Sequence, residues 1–508
     1  MATKGMNLRG LPQLLKADQA QLIENYLIDD VGSMIKREGL EELLDEAGSD
    51  SITMLKKFTS DIYIYAYAKV LKAYTKSTGA KTLVHTFTGT GDASGAVVGS
   101  YFLVCNGSEK IAAFSTALND YAVLTDGNTP LATTLYAFDG RLFAGVGQRI
   151  HWSEVDAGTG IPFDGADDWT AASDVDKSNY ADYRNAGDIK SIGSIGKQIV
   201  GIYDDGKSGF QITSLDVGGT LTQDTQLDFQ RIDFGGERGT ITTPKGLFYA
   251  NEYGLWQMAS GGQTNVPFSE SEASPTLVLG KDYFDDATIT DCDIAYYAKE
   301  NIVLFTFSQD SSVNNEIIVY NLETKGVSKI TGWNISRFMI DGGDIYGGGD
   351  GTTKVWQLFT GDDDDGKDIW CRYEQEINTG DLHTRKSLEE MWIAGELSPS
   401  TQIGINFNIY DLTGTLIEDK KEATWTPDEI GSGGAAGYDG AGWDALEYDG
   451  RVAGTDLIPT LDGAKGLVKI NNFQRLILKL NENSKVPHKI SWVKMDIREK
   501  QAIKARNL

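Results

Sequence analysis

Short apolar runs, each closed by a glycine or an acidic turn, recur along most of the chain. In one such stretch Tyr101, Phe102, Leu103, Val104 and Cys105 run together, Asn106 and Gly107 turn the chain, and residues 111–114 return. Comparable units start at 140, 196, 246, 301 and 343, so neighbouring starts lie 39 to 56 residues apart. Each unit pairs two β-prone segments and ends near a Trp or an apolar pair. That period matches a propeller blade of four strands and exceeds the roughly 20–30 residues of most solenoid coils. The pattern predicts a β-propeller-like domain over 51–361, with a pair of large β-sandwiches as the alternative.

After the charged stretch 361–368 the rhythm changes. Residues 370–377, 386–397, 402–410, 415–418, 467–470, 475–480 and 489–497 read as strands, and Ile403, Ile405, Phe407 and Ile409 alternate cleanly with polar or small neighbours. A β-sandwich-like domain over 369–497 follows, interrupted by a Gly-rich loop at 431–454 and trailed by a polar tail at 498–508. The expected fold class is all-β: a β-propeller-like domain plus a C-terminal β-sandwich-like domain.

The first fifty residues stand apart. Residues 22–28 are apolar and β-prone, 29–32 turn through Gly32, and 34–37 return before Gly39 breaks the run. This reads as one hairpin within an N-terminal arm, 1–50. Leu22, Ile23, Tyr26, Leu27, Ile28 and Ile35 make it more apolar than a terminus usually exposes. With the adjoining Lys36 and Arg37 they are the candidate assembly residues, expected to dock onto the propeller or a neighbouring subunit.

Composition sharpens this picture. Glycine numbers 58 of 508 residues and proline only 10, which favours short strands and tight turns over helices. Helix is expected only in the first fifty residues and the last ten. Acidic residues number 73 against 46 basic ones, a net charge of −27. Such a surface repels nucleic acid, which argues against a DNA-coating protein but not against a surface that DNA slides past. Cys105, Cys292 and Cys371 lie far apart and read as reduced, buried thiols. The longest apolar runs, such as 302–305, fall far short of the roughly 18 residues of a membrane span, so no membrane insertion is expected. Residues 1–10 lack a signal-peptide core, so the chain is expected to stay where it is made or to travel within an assembly.

Candidate chemistry is sparse. Asp362, Asp364 and Asp368 suggest a calcium loop, but Lys367 and Tyr373 stand where that loop needs Gly and Glu. The stretch is expected to be a solvated linker. His85, His151, His383 and His488 form no HExxH motif, and no phosphate loop or Gly-x-Ser-x-Gly elbow occurs. Carboxylate pairs such as Glu389 and Glu390 have no diagnostic spacing. No enzyme activity, cofactor or metal is expected, with a propeller glycosidase as the remaining enzymatic alternative.

Three stretches together resemble the tail nozzle (hub, or tail tubular B) proteins of short-tailed bacteriophages. The first holds Asn25, Tyr26, the acidic turn at Gly32, then Lys36, Arg37 and Gly39, with Glu38 where the family usually has Pro. The second is 136–145, containing Gly140, Arg141, Leu142 and Phe143, with Trp152 and Ser153 after it. The third is 231–239 followed by 246–256. The insertion 431–454 has no counterpart in the family pattern. The resemblance implies a structural ring of six copies in the virion tail, below an adaptor ring and beside tail fibre or spike proteins. Double-stranded DNA would pass transiently through its lumen. It implies synthesis in the host cytoplasm and a β-propeller beside β-sandwich elements. Six copies would carry 162 formal negative charges, six times 27. Loops 431–454 and 158–168 are the candidate gates. A tail-associated receptor-binding propeller remains the alternative.

Overall fold

The computed structural model describes residues 20–29, 32–156, 158, 160–165, 168–169, 179–182, 188–195, 198–203, 210–214, 221–223, 235–251, 254–259, 287–377, 386–397, 403–410, 416–425, 470–473 and 475–499. Among these the regular structure is strand alone, so the fold is all-β and, in its larger part, propeller-like. The chain divides into two compact units, one of residues 42–317 and 332–358, the other of 1–41, 318–331 and 359–508.

The first unit is a succession of small antiparallel meanders. Their innermost strands are Ile52–Lys57, Ser94–Val98, Thr134–Phe138, Ile189–Ile195, Gly235–Thr243, Ala287–Tyr297 and Ile335–Asp341. Each inner strand neighbours the next, and the last neighbours the first, so these seven described blades close a ring. The second strand of each blade is the strongly apolar one. Tyr101–Cys105, Arg141–Val146, Gln198–Tyr203, Gly246–Asn251, Ile302–Gln309 and Asp344–Gly349 begin at or within two residues of the predicted unit starts. Those strands are legible because both faces are buried. Phe102 and Val104 pack on Met54, Ile64 and Leu71 of the preceding blade. Leu103 and Cys105, pointing the other way, pack on Leu135, Leu142 and Ala144 of the following blade. The missed first blade, Ile52–Lys57 through Ala80–Thr86, has an outer strand with exposed and half-buried residues throughout.

The ring closes with a strand from the N-terminal side. Leu40–Leu44 is the fourth strand beside Ile335–Asp341, Asp344–Gly349 and Val355–Leu358. Glu42 pairs with Lys354 at 2.5 Å, the Gly48 N–H donates to Thr353 Oγ1 at 2.8 Å, and Ser51 Oγ donates to Asp350 at 2.5 Å. The propeller-like unit therefore begins near residue 42, not 51, because its last blade needs a strand that precedes its first.

The second unit has two sheets. One orders Val327–Thr331, Leu22–Glu24, Ile369–Glu376, Arg475–Ser484, Ile403–Tyr410 and Leu416–Trp425. The other orders Tyr26–Ile28, Met34–Lys36, His488–Glu499, Lys386–Leu397 and Ile470–Phe473. Tyr373, Leu478, Leu480, Ile405, Phe407 and Ile490 are among its fully buried residues. Two expectations are corrected. The 1–50 segment is no separate arm, since residues 22–24 are an internal strand with Ile23 facing Tyr373 across an antiparallel pairing and Glu24 facing Lys329 across a parallel one. The domain boundaries at 361 and 369 also shift, because 318–331 supplies that strand's other neighbour. The 431–454 loop and the 500–508 end of the tail lie outside the described residues.

Candidate functional site

The residues singled out in the N-terminal hairpin converge in the second unit, where the apolar run 22–28 proves to be two strands. Asn25 separates them at φ 60°, a left-handed conformation that Asn tolerates better than most residues. Its side chain makes the reversal specific. Nδ2 donates to the Trp370 carbonyl at 2.7 Å and to Thr331 Oγ1 at 3.2 Å, while Oδ1 accepts from Arg37 Nε at 2.9 Å and from the Thr331 N–H at 3.1 Å. Leu22–Glu24 thereby enters one sheet and Tyr26–Ile28 the other.

Alternation then aims Tyr26, Met34 and Lys36 inward. Lys36 Nζ lies 3.1 Å from Glu482 Oε2, with both side chains essentially excluded from solvent. Tyr26 Oη hydrogen bonds His488 Nε2 at 2.9 Å, and their rings meet edge-on. Burial, assisted by the Lys36 charge, pushes the His488 imidazole down to about 3. Burial, with Cys371 and Glu482 beside it, pushes the Tyr26 phenol well up, and burial likewise raises the Cys371 thiol. The site is thus a neutral His–Tyr pair beside one compensated ion pair. Two signals in the sequence point to it. Period-two alternation through Leu478, Leu480 and Glu482 puts a carboxylate in the core, and alternation through Met34 and Lys36 puts an ammonium there. Each buried charge demands the other.

Arg37 forms the second half of the latch. Its guanidinium grips Asp364 with two hydrogen bonds, NH1 to Oδ1 at 2.8 Å and NH2 to Oδ2 at 2.6 Å. The acidic stretch is therefore a pinned turn rather than a solvated linker. Asp363 accepts from Lys485 Nζ at 2.8 Å and from the Gly366 N–H at 2.8 Å. Gly39 passes so close that any Cβ there would overlap the Asp363 carbonyl. Among the described residues no group of His, Cys, Asp and Glu side chains is arranged to hold a metal.

Of the candidate assembly residues, Ile23, Tyr26, Ile28, Lys36 and Arg37 are buried within this chain, and Leu22, Leu27 and Ile35 are half-buried. The apolar surface that suggested docking onto a neighbour is used internally instead. Cys105, Cys292 and Cys371 are buried and form no disulfide with one another.

The propeller-like unit has its own polar features. At the ring's seam Asp341 receives Tyr63 Oη at 2.6 Å, Lys57 at 2.6 Å and Lys76 at 2.9 Å. Burial alone would raise this carboxyl, but those donors hold it well below the usual carboxylate range. On the axis a cavity of about 410 Å³ is lined by the seven inner strands. The stretch 158–168, a candidate gate, is described only in part. Phe163 is buried there, and its carbonyl accepts from the indole N–H of Trp169, just beyond the stretch, at 3.2 Å, so this part is packed.

No protein-family model matches the chain, and no curated sequence matches it. Solved structures share only broad form with it. A chain of a mitotic checkpoint complex aligns over 62% of this chain and 91% of its own length, at 10% identity and a TM-score of 0.43. The computationally designed Ika8 protein aligns over 63% and 100%, at 14% identity and a TM-score of 0.38. The extracellular domain of a one-component system from B. thetaiotaomicron aligns over 65% and 41%, at 13% identity and a TM-score of 0.43. None of these likenesses bears on function.

Proposed function

We propose that this chain is a structural subunit of a short-tailed phage tail, a nozzle protein that assembles as a ring of six below an adaptor ring and conducts DNA out of the virion. One observation supports this reading above others. Asn25, Tyr26, Lys36, Arg37 and Gly39, the residues that carry the family resemblance, are those that lock the second unit together. A motif retained for such internal roles fits a shared architecture rather than a shared active site.

The conduit in this reading is not the propeller axis. A cavity of about 410 Å³ filled around by side chains cannot pass a duplex whose major groove alone is about 12 Å wide. The lumen would instead be the space enclosed by several copies, and its acidic surfaces would let phosphate slide. Native mass measurement of the purified chain, alone and with its adaptor ring, tests this. A six-fold ring is the expected result, and a chain that stays monomeric with every tail partner overturns it.

A receptor-binding role has one observation in its favour. Trp370 is 56% exposed on a regular strand, with the Arg372 guanidinium 5.1 Å from its ring. Labelled protein that decorates host cells without any particle would support that reading against the nozzle.

A further inference from the structure

The junction where the ring closes is built differently from its neighbours. The first and second blades meet through Phe58, Phe102 and Phe114, and the second and third through Leu103, Leu135 and Leu142. At the junction of the last blade with the first, every ring in the buried cluster is a tyrosine. Tyr63, Tyr65, Tyr74 and Tyr346 pack there beside Leu55, Met339 and Val355.

Charge follows the same division. Residues 52–86, the first blade, hold six lysines and one aspartate, so they carry +5 in a chain of −27. Four of those lysines converge on two carboxylates. Asp341 takes Lys57, Lys76 and the Tyr63 hydroxyl. Glu46, between Leu40–Leu44 and the first blade, accepts from Lys72 Nζ at 2.5 Å and from Tyr65 Oη at 2.6 Å, with Lys81 Nζ 3.9 Å away. Lys76 and Lys72 also lie over the Tyr63 and Tyr67 rings, at 5.0 and 5.6 Å. Burial alone would raise the Glu46 carboxyl, but its donors hold it below its ordinary value, so it stays charged as Asp341 does. The two carboxylates are 11% exposed, whereas the four lysine side chains are 20–38% exposed.

Polar and apolar junctions respond differently to parting. An apolar junction loses its whole burial energy, while half-exposed ion pairs and hydroxyl bonds regain most of theirs from water. Chain entropy adds to the contrast. Tyr63 and Asp341 are 278 residues apart, so parting them releases a closed loop of that length. Consecutive blades stay tethered by the short chain between them.

We infer that this junction is the clasp of the propeller-like unit: the ring opens and recloses between its last and first blades before any other junction parts, and Asp341 and Glu46 set how often. Such an opening separates residues 54–57 from 337–340, which both line the axial cavity, and gives that cavity a lateral entrance.

Thiol labelling of the folded, full-length chain tests the clasp. Leu55→Cys places a thiol in the closing junction and Leu142→Cys places one in the junction of the second and third blades, at sites 2% and 0% exposed. The two substitutions remove the same side chain, so the cavity each leaves is matched. With iodoacetamide and peptide mass spectrometry, the thiol introduced by Leu55→Cys should label at least about tenfold faster. Adding Asp341→Asn or Glu46→Gln should speed it by about tenfold again and leave the thiol introduced by Leu142→Cys unchanged. Equal labelling of the two introduced thiols, or faster labelling at position 142, overturns the proposal. So does an acceleration by both carboxylate substitutions that is as large at position 142, because the whole unit is then opening rather than one junction.

Discussion

Two residues decide whether the second unit holds. Gly39 lies against the Asp363 carbonyl with no room for a side chain, so Gly39→Ala must displace the acidic turn that Arg37 grips. A loss of about 2–3 kcal/mol is expected in urea unfolding. Arg37→Met leaves Asp364 without its bidentate partner and should cost about 3 kcal/mol or more. His488 makes a prediction about pH. Its ordinary value is 6.5 and its folded value about 3, so the unfolded chain binds the proton more readily. The neutral imidazole's contribution is complete above pH 6.5 and is lost as pH falls from there towards 3, reaching on the order of 3 kcal/mol by pH 4. His488→Gln should flatten that part of the stability-against-pH curve. An unchanged slope between pH 6.5 and 4 in the variant would show that other groups carry it.

At the scale of elements, the N-terminal residues serve both units in turn. Removal of residues 1–50 would be harmless to folding if they formed an arm. The structure gives the opposite expectation. Leu22–Glu24 and Met34–Lys36 are internal strands of the second unit's two sheets, Tyr26–Ile28 is an edge strand beside the latter, and Leu40–Leu44 is the fourth strand of the closing blade. Deletion of 1–38 should therefore abolish the cooperative unfolding of the second unit yet spare the ring. Deletion of 1–50 should also open the last blade, exposing the Val355–Leu358 edge to pairing with other chains. Limited proteolysis and calorimetry distinguish the two truncations. A 1–50 deletion that melts like the intact chain would show that Leu40–Leu44 is not needed to close the ring. The second strands of the blades are legible in the sequence because their runs are buried on both sides. The inner strands are not, being rich in Gly, Ser and Thr where seven backbones crowd one axis, and interrupted by bulges that break the period of two.

At the scale of the whole molecule, charge sets the behaviour towards DNA. With 73 acidic and 46 basic residues, the chain should not retard duplex DNA in gel electrophoresis, even near 50 mM salt where phosphate contacts are strongest. Tight, sequence-selective retention would count against a conduit and favour a DNA-binding regulator. Assembly in this reading does not use the hairpin as a free docking surface, since its apolar residues are already buried. Interfaces between copies must come from other surfaces, so hairpin substitutions should reduce ring formation only in step with lost stability. A hairpin variant with unchanged melting and abolished ring formation would restore the hairpin as a direct contact.

The sequence by itself determined the all-β class, the blade period and the change of architecture after the acidic stretch, because hydrophobic alternation and turn residues are local properties. Only the tertiary structure decided which strands are neighbours. Leu22–Glu24 lies between partners some 300 and 350 residues away, at Lys329 and Arg372, and Leu40–Leu44 completes a blade whose other strands follow residue 334. A strand's apolar pattern says that a face is buried but not against what. Its backbone edges carry the same N–H and C=O groups whatever the residues, so pairing partners are fixed only when the whole core is assembled.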